Sequence, residues 1–210
     1  MTPHAQVPRS ERVLILIDFI NPLDFPGAEK LAPPALRAAR ATLRLRDRMD
    51  KAGAAVIYSN DNYGVWQSDF HSLVAQCIGR EGISGEIARL LAPRATDVTL
   101  LKPRHSAFYG SPLELLLKEM GARELVLCGL AADMCVQMTA ADAFLRGGFE
   151  LWVPADCIAA ETPAAKRTAV NYMKTVLRCD VRTSVARRPA SSPSPAGSGN
   201  RRGGGKKGPR

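Results

Sequence analysis

Short apolar runs alternate with longer amphipathic segments along most of the chain. The runs are about five residues long and rich in Val, Ile and Leu, which is typical of strands buried on both faces of a parallel sheet. The pattern predicts strands at residues 13–17, 54–59, 98–101, 124–128, 149–153 and 180–184. Helical spacing between them predicts helices at residues 35–51, 69–76, 86–91, 112–120, 135–146 and 162–177.

This alternation indicates the fold class. Strands followed by helices form βαβ units, so we predict an α/β fold with a doubly wound, six-stranded parallel sheet and helices on both faces. The length suits one domain, which we place at residues 11–186 after a flexible N-terminus at 1–10. Residues 187–210 have no large apolar side chain, which predicts a disordered basic tail.

The net charge of +9 is concentrated in this tail. Residues 187–210 carry seven basic residues and no acidic one, which leaves +2 for the rest of the chain. Such a tail has the charge to bind nucleic acid phosphates, but it lacks aromatic side chains that would stack on bases. We expect a solvated tail without a fixed partner, with nucleic acid binding as the alternative.

The cysteines and the N-terminus indicate the compartment. The five cysteines are an odd set without CxxC spacing, which predicts free thiols in a reducing environment. The first ten residues lack the apolar stretch of a signal peptide, and no segment approaches the roughly 18 apolar residues of a membrane span. We therefore expect a cytoplasmic protein that is not attached to a membrane.

Three reactive residues follow predicted strands. Asp18 ends the first strand, Lys102 ends the third, and Cys135 follows the turn after the fourth, at the start of a predicted helix. Because the carboxyl ends of parallel strands meet at one edge of a sheet, we expect these side chains to lie together. The sequence therefore predicts an active site at this edge.

The three residue types suit nucleophilic catalysis. A helix N-terminus and a nearby ammonium group lower the pKa of a thiol, so we expect Lys102 to favour the thiolate of Cys135. Asp18 is able to accept the thiol proton and return it to a leaving nitrogen. The small residues Gly129 and Ala131 allow backbone N–H groups to approach an oxyanion.

The residues around these three positions resemble a known family. VLILIDFIN (13–21), LKPRHSAF (101–108) and GLAADMCVQMTAADA (129–143) resemble the three motifs of the isochorismatase-like cysteine hydrolases. The third run is the most specific, and the resemblance covers roughly residues 11–185.

The resemblance implies a mechanism and an assembly. It implies that Asp18, Lys102 and Cys135 form a triad that hydrolyses a carbon–nitrogen bond through a thioester. It also implies a cis peptide bond at Leu130–Ala131, an oxyanion hole formed by the N–H groups of Ala131 and Cys135, and a homo-oligomer, either a dimer or a tetramer. No cofactor is implied.

Two departures from the family narrow the substrate. Nicotinamidases of the family bind a metal through an Asp and several His after the second strand, but SNDNYGVWQSDFH (59–71) offers a single histidine, the distant His71, beside Asp61. We therefore predict no metal and do not expect nicotinamide as substrate. Members that cleave isochorismate lack the nucleophilic cysteine, so the resemblance also argues against that reaction.

We accordingly predict a hydrolase of small amides, imides or carbamoyl compounds, with a non-catalytic ligand-binding or regulatory module of the same fold as the alternative. The small-molecule substrate is expected to contact side chains in loops at the same edge, although such residues often serve packing or turns instead. The candidates are Asn60, Asp61, Trp66, His105 and Phe108.

Overall fold

The computed structural model describes residues 7–67 and 69–186. Its strands are all parallel and form one sheet in the order β3-β2-β1-β4-β5, with β6 also paired to β4. The strands are β1 (Arg12–Ile17), β2 (Ala55–Asp61), β3 (Val98–Lys102), β4 (Glu124–Leu130), β5 (Glu150–Trp152) and β6 (Ile158–Ala159). The helices are α1 (Ala28–Lys51), α2 (Phe70–Ile78), α3 (Gly82–Leu90), α4 (Leu113–Met120), α5 (Gln137–Arg146) and α6 (Pro163–Thr175).

The central strand β1 shows why the chain folds into three layers. Its apolar side chains alternate between two cores, with Leu14 and Leu16 on one face and Ile15 and Ile17 on the other. Residues of α1, α2 and α3 cover the first face, and residues of α4, α5 and α6 cover the second. Both faces of the sheet are therefore buried, and the predicted doubly wound α/β fold is confirmed.

The sixth strand lies elsewhere than predicted. It is formed by Ile158–Ala159, which pair with β4 beyond the end of β5. The segment 180–184, which was predicted as the sixth strand, is joined to the sheet by an isolated bridge between Asp180 and Trp152. Side chains hold this segment instead, because the indole of Trp152 donates to the Arg182 carbonyl.

Two helices begin earlier than the sequence pattern predicts. Helix α1 starts at Ala28 rather than residue 35 and contains Pro33 and Pro34, which remove backbone donors. The turn remains helical because Ala28 and Leu31 are buried against the core. Helix α3 likewise begins at Gly82 rather than residue 86 and includes Gly85. A Cβ at Gly85 would lie 1.9 Å from the Arg80 carbonyl oxygen, so close packing requires glycine.

The predicted helix 135–146 also begins earlier and in a different form. A single turn of π-helix, Ala132–Val136, precedes α5, and the Val136 N–H donates to the Ala131 carbonyl at 3.2 Å. We call Ala132–Val136 the π-turn. Such wide turns occur mostly at functional sites, and this one contains Cys135.

Two predicted segments, one at each end of the chain, fall wholly or partly outside the residues that the structure describes. The basic tail at 187–210 and the first six residues of the predicted flexible N-terminus lie outside the described residues. Within 7–67 and 69–186, none of the helices combines the length and apolar character that a bilayer crossing needs. The expected dimer or tetramer stays a prediction, which light scattering of the purified chain would check.

Candidate active site

The carboxyl ends of four adjacent strands build the site. Asp61 and Lys102 are direct neighbours in the β2–β3 register. Across β1, Ile17 is the partner of both Ser59 on β2 and Gly129 on β4. The residue after each strand end therefore emerges at one edge, and the expected convergence of the three reactive residues is observed there.

Lys102 is the centre of this cluster. Its ammonium nitrogen lies 2.8 Å from Oδ2 of Asp18 and 3.6 Å from Oδ2 of Asp61. It also lies 3.6 Å from the sulfur of Cys135 and donates to the Arg104 carbonyl at 3.2 Å. The side chain is completely buried, so these protein groups, rather than solvent, balance its positive charge and accept its hydrogen bonds.

Asp18 is fixed by a contact to each of its carboxylate oxygens. Its Oδ1 accepts from the Asp61 N–H at 2.7 Å while Oδ2 binds Lys102. Asp18 has a positive φ of 51°, an uncommon conformation for a residue with a side chain. Its N–H nevertheless continues the sheet pattern by donating to the Ser59 carbonyl at 3.1 Å.

Cys135 faces these groups from the π-turn. Its carbonyl accepts from the Thr139 hydroxyl at 2.7 Å, and the same hydroxyl oxygen accepts from the Ala107 N–H at 3.0 Å. Thr139 thus ties the π-turn to the loop after β3. On that loop, Nδ1 of His105 lies 3.5 Å from the Cys135 sulfur.

The direction of the Cys135 pKa contradicts the expectation from sequence. Burial is the largest effect and raises the pKa of the thiol well above its ordinary range, and the negative charge of Asp18 raises it further. The ammonium of Lys102 acts in the opposite direction but is outweighed. Lys102 thus favours the thiolate as expected, but the desolvation of the sulfur, which the expectation left out, outweighs this effect.

Burial also affects the two charged partners. It raises the pKa of the Asp18 carboxyl, although the charge of Lys102 and a side-chain hydrogen bond with Cys135 act to lower it. Burial also lowers the pKa of the Lys102 ammonium. The negative groups around it have a larger effect in the opposite direction, so the pKa is raised overall. The site at rest therefore contains an ammonium, and a carboxyl group whose proton affinity exceeds that of an ordinary aspartate.

The turn between β4 and the π-turn has an unusual backbone. The peptide bond Leu130–Ala131 is cis, as the family resemblance implied. Gly129 has a φ of 145°, and a Cβ at this position would lie 2.1 Å from the Ile17 carbonyl oxygen. Only glycine therefore lets the end of β4 approach the end of β1, and hence brings Cys135 close to Asp18.

The predicted substrate contacts lie in different environments. Asp61 and His105 join the cluster through Lys102 and Cys135, respectively. Asn60 is buried, and its amide donates to the Ile20 carbonyl at 2.7 Å. Phe108 is buried beneath the Arg146 guanidinium, 4.7 Å from the ring centroid, whereas Trp66 lies on the surface. Contact of any of these five with substrate stays a prediction.

Sequence reasoning overlooked Tyr63. Its N–H donates to Oδ1 of Asp61 at 2.7 Å, and its φ of 51° turns the chain back toward the site. Tyr63 is 44% exposed as a whole, but desolvation around its phenol, and then the negative charges of Asp18 and Asp61, raise the pKa of the hydroxyl. Its place in the turn-rich segment after β2 was the available signal.

Over 7–67 and 69–186, no cluster of three or more His, Cys, Asp or Glu side chains has an arrangement able to hold an ion. All five cysteines are buried free thiols, as the sequence predicted.

The fold and the site define a class of protein: an α/β sheet with an acid, a lysine and a thiol in contact at its carboxyl edge. Within that class, residues 12–185 match the family model described as the isochorismatase domain. This chain belongs to the isochorismatase family.

Individual relatives support the assignment. An uncharacterised isochorismatase family protein of Bacillus subtilis, YaaI, is 33% identical over 175 residues, covering 83% of this chain and 95% of YaaI. Maleamate amidohydrolase of Pseudomonas putida is 28% identical over 153 residues, covering 69% of this chain and 70% of the relative. The crystal structure of N-carbamoylsarcosine amidase from Thermoplasma acidophilum superposes with a TM-score of 0.63 at 28% identity, covering 83% and 96% of the two chains.

Proposed function

We propose that this protein is a cysteine hydrolase that cleaves a carbon–nitrogen bond of a small amide, imide or carbamoyl compound. One observation carries the proposal: the buried Lys102 ammonium lies 2.8 Å from the Asp18 carboxylate and 3.6 Å from the Cys135 sulfur. Such a cluster of nucleophile, base and cation is costly to bury, and the three groups together suit nucleophilic acyl transfer.

In the first half-reaction, Asp18 accepts the proton of the Cys135 thiol as the sulfur attacks the substrate carbonyl. The raised pKa of the Asp18 carboxyl makes it a better proton acceptor than an ordinary aspartate. The oxyanion that forms is stabilised by the N–H groups of Ala131 and Cys135, at the N-terminal end of the π-turn. Lys102 compensates the negative charge that builds up between sulfur and carboxylate.

Collapse of the tetrahedral intermediate breaks the carbon–nitrogen bond. The proton held by Asp18 passes to the leaving nitrogen, which departs as ammonia or an amine. Cys135 is then bonded to the acyl group as a thioester, and water hydrolyses it to a carboxylic acid or a carbamic acid. The thiol is restored, so the cycle consumes only substrate and water.

The names of the relatives support the substrate class. One is a maleamate amidohydrolase and one an N-carbamoylsarcosine amidase, so an amide and a carbamoyl compound both occur among the substrates named for proteins similar to this one. We propose that Tyr63 and His105, which lie beside the cluster, contact the part of the substrate that is not cleaved.

A ligand-binding module without catalysis is the second candidate. The raised pKa of the Cys135 thiol favours it, since a neutral sulfur is a poor nucleophile. It differs from a hydrolase in one measurable respect, because a binding module retains its ligand unchanged.

The test is a panel of amides, ureido compounds and carbamates assayed for release of ammonia or amine. Substitution of Cys135 by Ala should abolish turnover, whereas the matched variant Cys179→Ala, which removes another buried thiol, should retain it. Circular dichroism and thermal unfolding identify variants that fail to fold. Turnover by folded Cys135→Ala protein would contradict the proposal.

The same panel is run with added divalent metal and with chelator. We expect equal rates in both arms, because the proposed steps use only protein groups. Loss of turnover in chelator would instead show that a metal takes part.

A further inference from the structure

His105 is in contact with the nucleophile but has no part in the steps given above. Its Nδ1 lies 3.5 Å from the Cys135 sulfur, while the residue as a whole is exposed to solvent. Asp18 also contacts this sulfur but is buried. The sulfur therefore has one acid–base group on the buried side and another that is open to water.

The buried group is less accessible to incoming water. Asp18 is only 5% exposed, and its two oxygens face the Asp61 N–H at 2.7 Å and the Lys102 ammonium at 2.8 Å. In the second half-reaction the water has to come from solvent and attack a carbonyl carbon bonded to the sulfur. His105 is exposed to solvent and lies 3.5 Å from the sulfur that would carry this carbon.

The backbone on each side of His105 is fixed. The preceding carbonyl, that of Arg104, accepts from the Lys102 ammonium at 3.2 Å. On the other side, the Ser106 hydroxyl donates to the Asp142 carboxylate, and the next N–H donates to Thr139 at 3.0 Å. The imidazole is therefore exposed without belonging to a loose loop, which is what a group positioned for proton transfer requires.

We propose that His105 is the general base of the second half-reaction, a role that rests on the proposed function. The imidazole removes a proton from water as the water oxygen bonds to the thioester carbonyl carbon. The tetrahedral intermediate then collapses, the carbon–sulfur bond breaks, and the electron pair returns to sulfur. The imidazolium gives its proton to that sulfur, so the acid product and the free thiol leave His105 neutral. Histidine is the side chain that most often performs such transfers.

The rates of the two half-reactions can be measured separately with an activated ester, so the natural substrate need not be known. With 4-nitrophenyl acetate, acylation of Cys135 produces a burst of nitrophenolate, and hydrolysis of the acetyl thioester sets the linear phase that follows. His105→Gln should retain the burst and lower the linear rate by about 10²–10⁴-fold, the usual contribution of a general base. Intact-protein mass spectrometry should show the acetyl adduct accumulating on the variant.

Two further variants distinguish catalysis from a structural role. Added imidazole should restore the linear phase of His105→Ala, because a missing base that opens to solvent is replaceable from solution. His71→Gln removes another exposed histidine, at the start of α2, and should leave both phases as in the wild type.

The outcomes separate this inference from the proposal on which it rests. A linear rate of His105→Gln equal to that of the wild type, or the lack of an accumulating acetyl adduct, would overturn the role of His105 alone. A burst that persists in Cys135→Ala would overturn the proposed nucleophile instead.

Discussion

Two buried ion pairs lie at opposite ends of β3. Arg46 and Asp97 form one, with side chains 2% and 4% exposed, and Lys102 and Asp18 form the other, with side chains 0% and 7% exposed. Burial is thus nearly the same in both, and each cation contacts its carboxylate directly. The pairs differ in what surrounds them.

The first pair is enclosed by groups that do not react. The guanidinium of Arg46 also donates to the Ala92 carbonyl at 3.0 Å and lies over the Tyr58 ring, 5.6 Å from its centroid. Asp97 accepts in addition from the Arg94 N–H. An arginine stays charged under all ordinary conditions, so this pair connects α1 to the segment before β3 without exchanging protons.

The second pair touches a thiol, which in turn contacts an imidazole. Lys102 is a compact charge that serves two carboxylates, a carbonyl and a sulfur at once. Burial alone therefore does not mark a functional ion pair. In the proposed mechanism the second pair differs because its carboxylate accepts a proton from the thiol beside it.

The largest effect is expected from Asp18→Asn, which removes the base and retains the shape. We expect kcat/KM to fall by about 10²–10⁴-fold, the contribution of a general base. The measurement is steady-state kinetics at a temperature at which circular dichroism shows the variant folded. Activity within tenfold of the wild type would place the base elsewhere.

Asp97→Ala breaks the other pair and should lower the stability of the protein while leaving its activity unchanged. It leaves the Arg46 charge buried, so the free energy of unfolding should fall by about 3–5 kcal/mol, while kcat of the folded protein stays unchanged. Urea unfolding gives the free energy. The control is Asp47→Ala, which removes a carboxylate from a half-exposed pair with Arg94 and should cost less than about 1 kcal/mol. Equal losses for the two variants would refute the structural role.

The smallest expected effect is on the pH dependence of kcat/KM. The pKa of the Asp18 carboxyl is raised by burial above its ordinary value of 3.8, so the acid limb of kcat/KM should lie above that value. Below the raised pKa, kcat/KM should fall by about tenfold per pH unit, as for one essential base.

Stability should respond in the opposite direction, because the folded protein holds the Asp18 proton more tightly than the unfolded chain. The stabilisation from this group is complete below pH 3.8 and is lost as pH rises through the raised pKa. Unfolding of Asp18→Asn as a function of pH should lack this component. An unchanged pH profile in that variant would contradict the assignment.

The fold and the meeting of three reactive residues were predictable from local patterns. Asp18 and Lys102 directly follow apolar strand segments, and parallel strands place such residues at one edge. The sixth strand was not predictable, because Ile158–Ala159 is too short to give a periodic signal. The start of α1 was also misplaced, since packing of Leu31 outweighs the presence of two prolines.

The electrostatics of the site were the least predictable part. The sequence places a cation near the Cys135 thiol, but the direction of the pKa shift depends on how deeply the sulfur is buried. That depth is a property of the packed π-turn. Neither the ion pair between Asp61 and Lys102 nor the proximity of Tyr63 to the carboxylates follows from spacing along the chain.

The close approach at Gly129 determines which parts of the site are adjustable. Main-chain atoms of β1 and β4 touch there, and the Asp18 N–H and the Lys102 carbonyl are bonded to the main chain of neighbouring segments. These main-chain contacts fix the strand ends that carry the acid and the cation, while the Thr139 hydroxyl fixes the π-turn that carries the thiol. Trp66 lies on the surface of the segment after β2 and makes none of these contacts. In the proposed mechanism the chemistry is therefore separable from the choice of substrate, and redesign of specificity should begin in the segment that follows β2.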